Sequence, residues 1–215
     1  MNLWLLIPVK PFHEGKSRLR GTLTDPIRAE LSRTLFHHVV SQALAIPDLA
    51  GILVVSRDRS VLAGIHSPKL HLVPESGRDL NQALEQGRRE ALRRGAETLL
   101  VLPADLPDLT TAEIVAVSRQ GQQETLVPGI VIVPSADNGT NALLLRPPTV
   151  INFAFGRDSF THHCDGCTIG WACLCTVYAS PALCLDVDQP ADLARLPLER
   201  LTSCYDSAAF PQASR

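Results

Sequence analysis

Four short apolar runs, at residues 3–9, 51–56, 70–73 and 98–102, alternate with segments of helical periodicity, and that alternation restricts the chain to an α/β architecture. The runs are rich in Leu, Ile and Val and nearly continuous, the pattern of parallel strands buried on both faces. Thr24, Asp25 and Pro26 make a helix start, with a capping side chain and a proline in the first turn. Ile27, Leu31, Leu35, Val39 and Ala43 then keep one apolar face. A second long helix is predicted over about residues 78–94, stopping at Gly95, and a third over 110–119.

Past residue 120 the pattern changes. Residues 129–133 and 141–145 read as two strands joined by the turn-rich stretch 134–139, helical signals thin out, and a last helix is predicted near 190–201. The expected fold is α/β with three layers, a mostly parallel sheet and a small β insertion covering one end. It forms a single domain over residues 1–205 with a C-terminal tail at 206–215. With 45% hydrophobic residues the chain has enough apolar surface for its own core.

Charge excludes some partners. With 20 basic and 22 acidic side chains the net charge is −2, so no electrostatic footprint for nucleic acid or an anionic membrane is present. The first apolar run is too short to span a bilayer and is closed by Pro8 and Lys10 rather than by a cleavage site, so a cytoplasmic protein is expected. Five of the six cysteines crowd between Cys164 and Cys184 in a chain too large to need staples, which favours a reduced compartment.

Two acidic clusters follow predicted strands. Asp105 comes after the run ending at Leu102, at the carboxyl edge of the sheet, where open α/β sheets bind ligands. It is read either as a ligand position or as a turn aspartate, with Asp108 better placed to cap the next helix. Asp186 and Asp188 alternate with Leu185 and Val187, which sends both carboxylates to one side of an extended segment. Asp188 has two competing uses, metal ligand or helix cap near Pro190. Paired carboxylates of this kind suit a hard cation such as Mg²⁺.

Lys10, Lys16 and Arg18 follow the first strand, where a phosphate site belongs. With Gly15 as its lone glycine the loop is no P-loop, so charge rather than a backbone nest would hold the phosphates. The start of the second long helix, with free backbone N–H groups around Leu80 and the amide of Asn81, is a candidate reader of a ribose or base edge. Residues 138–141, Asn-Gly-Thr-Asn, make a hairpin turn or a small-anion pocket. His162, His163, Cys164 and Cys167 have zinc-ligand spacing, but a second well-spaced pair is missing.

These motifs, taken in order, resemble the CofC/FbiD family: the basic loop, Asp105-Leu-Pro, Asn138-Gly-Thr-Asn-Ala-Leu-Leu-Leu, Phe155-Gly-Arg-Asp-Ser-Phe, and Leu185-Asp-Val-Asp-Gln-Pro-Ala-Asp-Leu. The resemblance runs from Leu3 to about Leu201. It implies a Rossmann-like nucleotidyltransferase fold of the GT-A type and a guanylyltransferase of coenzyme F-420 biosynthesis, which joins GMP from GTP to a small phosphorylated three-carbon acid. It further implies that Thr140, Gly156 and Ser159 hold phosphoenolpyruvate or 2-phospho-L-lactate, and that Asp105 and Asp188 bind Mg²⁺. Lys16 would face the triphosphate.

Lys16, Arg18 and Asp105 are thus the expected catalytic set, and Lys10, Lys16, Leu80 and Asn81 the nucleotide-binding set. Two departures from the family's pattern fall in the acid pocket: a shortened turn at residues 137–141, and Arg157-Asp158 where the family has Pro-Gly. A cytidylyl- or uridylyltransferase and a zinc-binding module are the alternative readings. The sequence gives no oligomeric state.

Overall fold

A computed structural model describes residues 2–77, 79–122, 128–169 and 173–196. Its seven strands are β1 (Leu3–Pro8), β2 (Gly51–Ser56), β3 (Leu70–Pro74), β4 (Thr98–Val101), β5 (Gly129–Pro134), β6 (Thr140–Arg146) and β7 (Leu174–Val177). They form one sheet in the order β3-β2-β1-β4-β6-β5-β7. Strands β1 to β4 are mutually parallel, β6 runs against both β4 and β5, and β7 is parallel to β5. Among the described strands β6 alone is therefore reversed.

The four apolar runs become β1 to β4: β1, β2 and β4 bury both faces, while the edge strand β3 is only half-buried. Along β1, Leu3, Leu5 and Ile7 enter one core while Trp4 and Leu6 enter the other. Helices α1 (Asp25–Leu44) and α3 (Thr111–Gln120) cover the first side, and α2 (Leu80–Arg93) and α4 (Ser159–Ile169) the second. α2 sits close to the sheet because Gly87 has no side chain: a Cβ there would collide with Leu6 and Val55. The short α5 (Pro190–Leu193) closes a third cluster in which Val187 packs among Leu19, Leu31 and Leu35.

Several expectations change. The strand pair after residue 128 does not cover one end of the sheet; β6 inserts between β4 and β5 and extends it, since its face is as apolar as that of β1. α4 and β7 fall where helical signals thin out. Thr24 stands at the start of α1 but its side chain makes no capping hydrogen bond. α3 is capped by Thr110, which accepts from the Glu113 N–H at 3.2 Å, and not by Asp108. Cys167 and Cys173, expected as reduced core residues, are joined in a disulfide, their Cα atoms 5.4 Å apart and so within ordinary bridging range. The expected C-terminal tail and the end of the last predicted helix lie outside the described residues. Among those residues no helix is long and apolar enough to cross a membrane.

Candidate active site

The carboxyl edge of the sheet gathers the chemistry. After β1 the chain makes two 3₁₀ turns, Phe12–Glu14 and Ser17–Leu19, anchored by the buried side chains of Phe12 and Leu19. Between them Lys16 takes a left-handed conformation, φ +53°. α1 holds this loop from below: buried Arg28 donates to the Gly15 carbonyl at 2.6 Å and to Asp25 at 2.6 Å, and a Cβ on Gly15 would run into the Ser32 hydroxyl. The lysine is therefore presented by a fixed loop, with its side chain 6% exposed, rather than dissolved in solvent.

Its ammonium joins two distant carboxylates. Lys16 Nζ pairs with Asp105 and lies 3.6 Å from Asp188, while Arg18 donates to Asp188 at 3.0 Å. Asp105 reaches this point because β4 ends at Val101 and the following turn is pinned by fully buried Leu106 and Leu109. Asp188 is free to do so because Asp192 does the capping, accepting from the backbone N–H groups of Asp188 at 3.0 Å and Gln189 at 2.7 Å. Leu185 and Val187 are buried while Asp186 and Asp188 are half-buried, as alternation requires. Asp186 has its carboxyl pushed up to about 6, first by burial and then by the neighbouring charges of Asp105 and Asp188.

Does this set suit a divalent cation? Two hard carboxylates sharing one ammonium fit Mg²⁺, which binds proteins through one or two carboxylates and takes its other oxygens from phosphates and water. Among the described residues no three His, Cys, Asp or Glu side chains form a ready-made cage. Beside the pair opens a cavity of about 550 Å³, the size of a small-molecule site, bordered by Lys10, Lys16, Leu80, Asp105 and Asp188.

The residues expected to hold the acid begin on the neighbouring strand. Val101 of β4 pairs with Leu143 of antiparallel β6, so the start of β6 at Thr140 falls at the same rim as Asp105. Thr140 Oγ1 is 3.1 Å from Ser159 Oγ and 3.1 Å from His163 Nδ1. Gly156, at φ +135°, occupies a conformation that favours glycine. Asn141 donates to the Leu183 carbonyl at 2.8 Å, tying the chain ahead of Asp186 to this rim. The Asp137 carboxyl is held below the usual carboxylate range by the Ser135 hydroxyl foremost, with the Arg18 charge adding, so the basic loop and the β5–β6 turn feel each other.

Asn81 is engaged within the fold itself. Its amide nitrogen donates to the Phe155 carbonyl at 3.0 Å and its oxygen accepts from the Phe155 N–H at 2.8 Å. The amide expected to read a nucleotide edge thus ties the start of α2 to the loop that carries Gly156. The two departures from the family's pattern also meet: Asn138 (φ +64°) donates to Asp158 (φ +54°) at 3.1 Å and the Asn138 carbonyl accepts from the Phe160 N–H at 3.1 Å, locking turn to helix. Arg157 is exposed. Of the zinc candidates, His163 has both ring nitrogens engaged elsewhere, and Cys164 lies 3.4 Å from Cys175.

Sequence reasoning missed Arg28, and gave His163 only a zinc reading. Arg28 sits three residues before Leu31 on the apolar face of α1, and a lone arginine there is a legible oddity. His163 follows Ser159 by four residues, a same-face spacing visible once α4 is taken as a helix.

The open sheet of this order carries carboxylates and a basic loop at its carboxyl rim. The fold superposes with a TM-score of 0.68 on a protein solved as a nucleotide-diphospho-sugar transferase from Desulfovibrio desulfuricans G20 (18% identity, 100% of this chain, 92% of that one). With a TM-score of 0.58 it also matches 4-diphosphocytidyl-2C-methyl-D-erythritol synthase from Anaerococcus prevotii (11% identity, 90% and 95%).

The profile of the family described as "Guanylyl transferase CofC like" matches residues 3–200, and the chain belongs to that family. Relatives named phosphoenolpyruvate guanylyltransferase include those of Rubrobacter xylanophilus, 40% identical over 91% of this chain and 94% of the relative, and Sphaerobacter thermophilus, 36% over 89% and 90%. One from Colwellia psychrerythraea, 30% identical over 90% of both chains, is named 3-phospho-D-glycerate guanylyltransferase.

Proposed function

We propose that the protein transfers GMP from GTP to phosphoenolpyruvate, with Mg²⁺ and release of pyrophosphate, as a cytoplasmic step of coenzyme F-420 biosynthesis; 2-phospho-L-lactate is the alternative acceptor. The observation that carries this reading is the meeting of Lys16, Arg18, Asp105 and Asp188 beside a cavity of about 550 Å³, with the Thr140–Ser159 hydroxyl pair at the same rim. The names of the relatives support both the nucleotide and the acid. 3-Phosphoglycerate is the acid in the name of the Colwellia psychrerythraea relative.

The reaction needs charge control more than covalent chemistry. A phosphate oxygen of the acid attacks the α-phosphorus of GTP in line. The new O–P bond forms as the bond to the bridging oxygen breaks, and the electron pair leaves with pyrophosphate. No general base is called for, because a phosphate dianion is already a nucleophile. Repulsion opposes the approach: two like unit charges at 4 Å cost about 4 kcal/mol near a protein surface.

Lys16 and Arg18 carry two positive charges and Asp105 and Asp188 two negative ones, so the cluster alone gives a polyanion no net attraction. Asp105 and Asp188 would hold Mg²⁺, which supplies the missing positive charge beside the phosphates when bound. Lys16 and Arg18 offset charge building on the leaving group. Lys10 and the start of α2 at Leu80 border the nucleotide side. Thr140, Ser159 and Gly156 hold the acid.

The test is incubation with GTP, Mg²⁺ and phosphoenolpyruvate, 2-phospholactate or 3-phosphoglycerate in separate reactions, with products weighed by mass spectrometry. A GMP adduct of phosphoenolpyruvate is expected. An adduct with 3-phosphoglycerate alone reassigns the acid, and adducts formed from CTP or UTP in place of GTP overturn the guanylyl reading.

A further inference from the structure

His163 is fully buried, and nothing in the mechanism above uses it. Its Nε2 lies 3.0 Å from the backbone N–H of Ala154. A peptide N–H can only donate, so Nε2 is an acceptor and carries no proton. Burial draws the ring's pKa down to about 4, which keeps it neutral near pH 7, and a neutral imidazole has one N–H. That proton is therefore on Nδ1, 3.1 Å from Thr140 Oγ1. The ring is held edge-on against Phe155, centroids 4.8 Å apart, and Phe155 is itself fixed by Asn81.

The consequence is a matter of counting protons. Thr140 Oγ1 receives the Nδ1 proton and stands 3.1 Å from Ser159 Oγ. Two hydroxyls hold two protons, and one proton occupies the line between them. The other has no place inside the chain of contacts and must point out of it. Were Nδ1 an acceptor instead, Thr140 would donate to the ring, Ser159 to Thr140, and both protons would be consumed. Lone pairs alone would then face an anion.

We propose that His163 is a positioning residue that, by donating from Nδ1 to Thr140, forces the Thr140–Ser159 pair to present a hydroxyl proton to the phosphate or carboxylate of the acid substrate. The inference rests on the acid pocket proposed above, and extends it to a residue that touches no substrate.

Two measurements test it. The first is independent of activity: ¹⁵N NMR of the histidine rings in the whole protein should find Nδ1 of His163 protonated and Nε2 unprotonated at pH 7. The opposite tautomer or an imidazolium overturns the wiring.

The second compares His163→Asn, which keeps a donor near the Nδ1 position, with His163→Leu, which fills the same apolar surroundings without one. A purely structural histidine would be replaced as well or better by Leu. In His163→Leu no acceptor replaces Nδ1, so the outward proton survives but is no longer held in place, and the wiring predicts a KM for the acid raised about 2- to 10-fold, the range for one lost neutral hydrogen bond. In His163→Asn it should rise less than in His163→Leu, with KM for GTP unchanged in both. Thermal shift with GTP and Mg²⁺ confirms that each variant is folded. Equal effects, or a better Leu variant, overturn the inference. Wild-type protein that transfers GMP to none of the acids refutes the acid pocket itself, while the NMR result still decides the wiring.

Discussion

Replacing Asn81 by Leu separates the role the structure gives this residue from the role its place in the sequence suggests. The side chains are close in size, so the change removes two hydrogen bonds to the Phe155 backbone, of 3.0 and 2.8 Å, with little loss of volume. Each contributes about 0.5–1.5 kcal/mol net, which gives about 1–3 kcal/mol for the pair. If that free energy holds the 153–157 loop in its binding conformation, KM for the acid rises about 5- to 150-fold. Loosening Phe155 also frees the ring that steadies His163, so the effect should fall toward the upper end. The assay is initial-rate kinetics of pyrophosphate release with each substrate varied in turn, and KM for GTP should stay within about twofold of wild type. A rise in KM for GTP with the acid's KM unchanged refutes the reasoning and returns Asn81 to the nucleotide.

Asp105→Asn and Asp188→Asn should each lower turnover by orders of magnitude while leaving the thermal melt cooperative; full activity in either variant removes the metal assignment. Gly87→Ala should destabilise the protein by about 1–3 kcal/mol, because the new methyl overpacks Leu6 and Val55, and a melt equal to wild type would show that α2 can retreat. Asp186 titrates at about 6 in the fold, above its ordinary value, so its neutral form is the favoured one. The stability this lends is present below pH 4 and is lost as pH rises through 6. In EDTA, Asp186→Asn should therefore gain on wild type between pH 4 and 7, and a difference in melting temperature that stays flat with pH would contradict this.

The sequence was most legible where the information is local. β1 to β4 match their apolar runs within a residue because a short continuous apolar run needs no partner to be recognised. The antiparallel pair β5–β6 was also readable, but not its neighbour: nothing local says that β6 slots against β4. α4 was hidden because its inward face carries His163, Cys164 and Cys167 where a periodic helix would show Leu or Ile. β7 is four residues long and leaves Leu174 and Val177 exposed, so it offers little pattern to find.

In the site, carboxylates at strand ends could be read from spacing, whereas their use could not. Whether Asp188 caps α5 or faces Lys16 depends on Asp192, which is placed to take both backbone N–H groups. The contact of Asn81 with Phe155 was hidden for a related reason: its partner lies 74 residues away, beyond any local pattern.

The most direct test of the central claim is calorimetric titration of Mg²⁺ into the protein saturated with a non-hydrolysable GTP analogue. One ion should bind the wild-type complex more tightly than it binds the free nucleotide, and Asp105→Asn and Asp188→Asn should each weaken it at least tenfold. Unchanged affinity in either variant would mean that the two carboxylates do not share an ion.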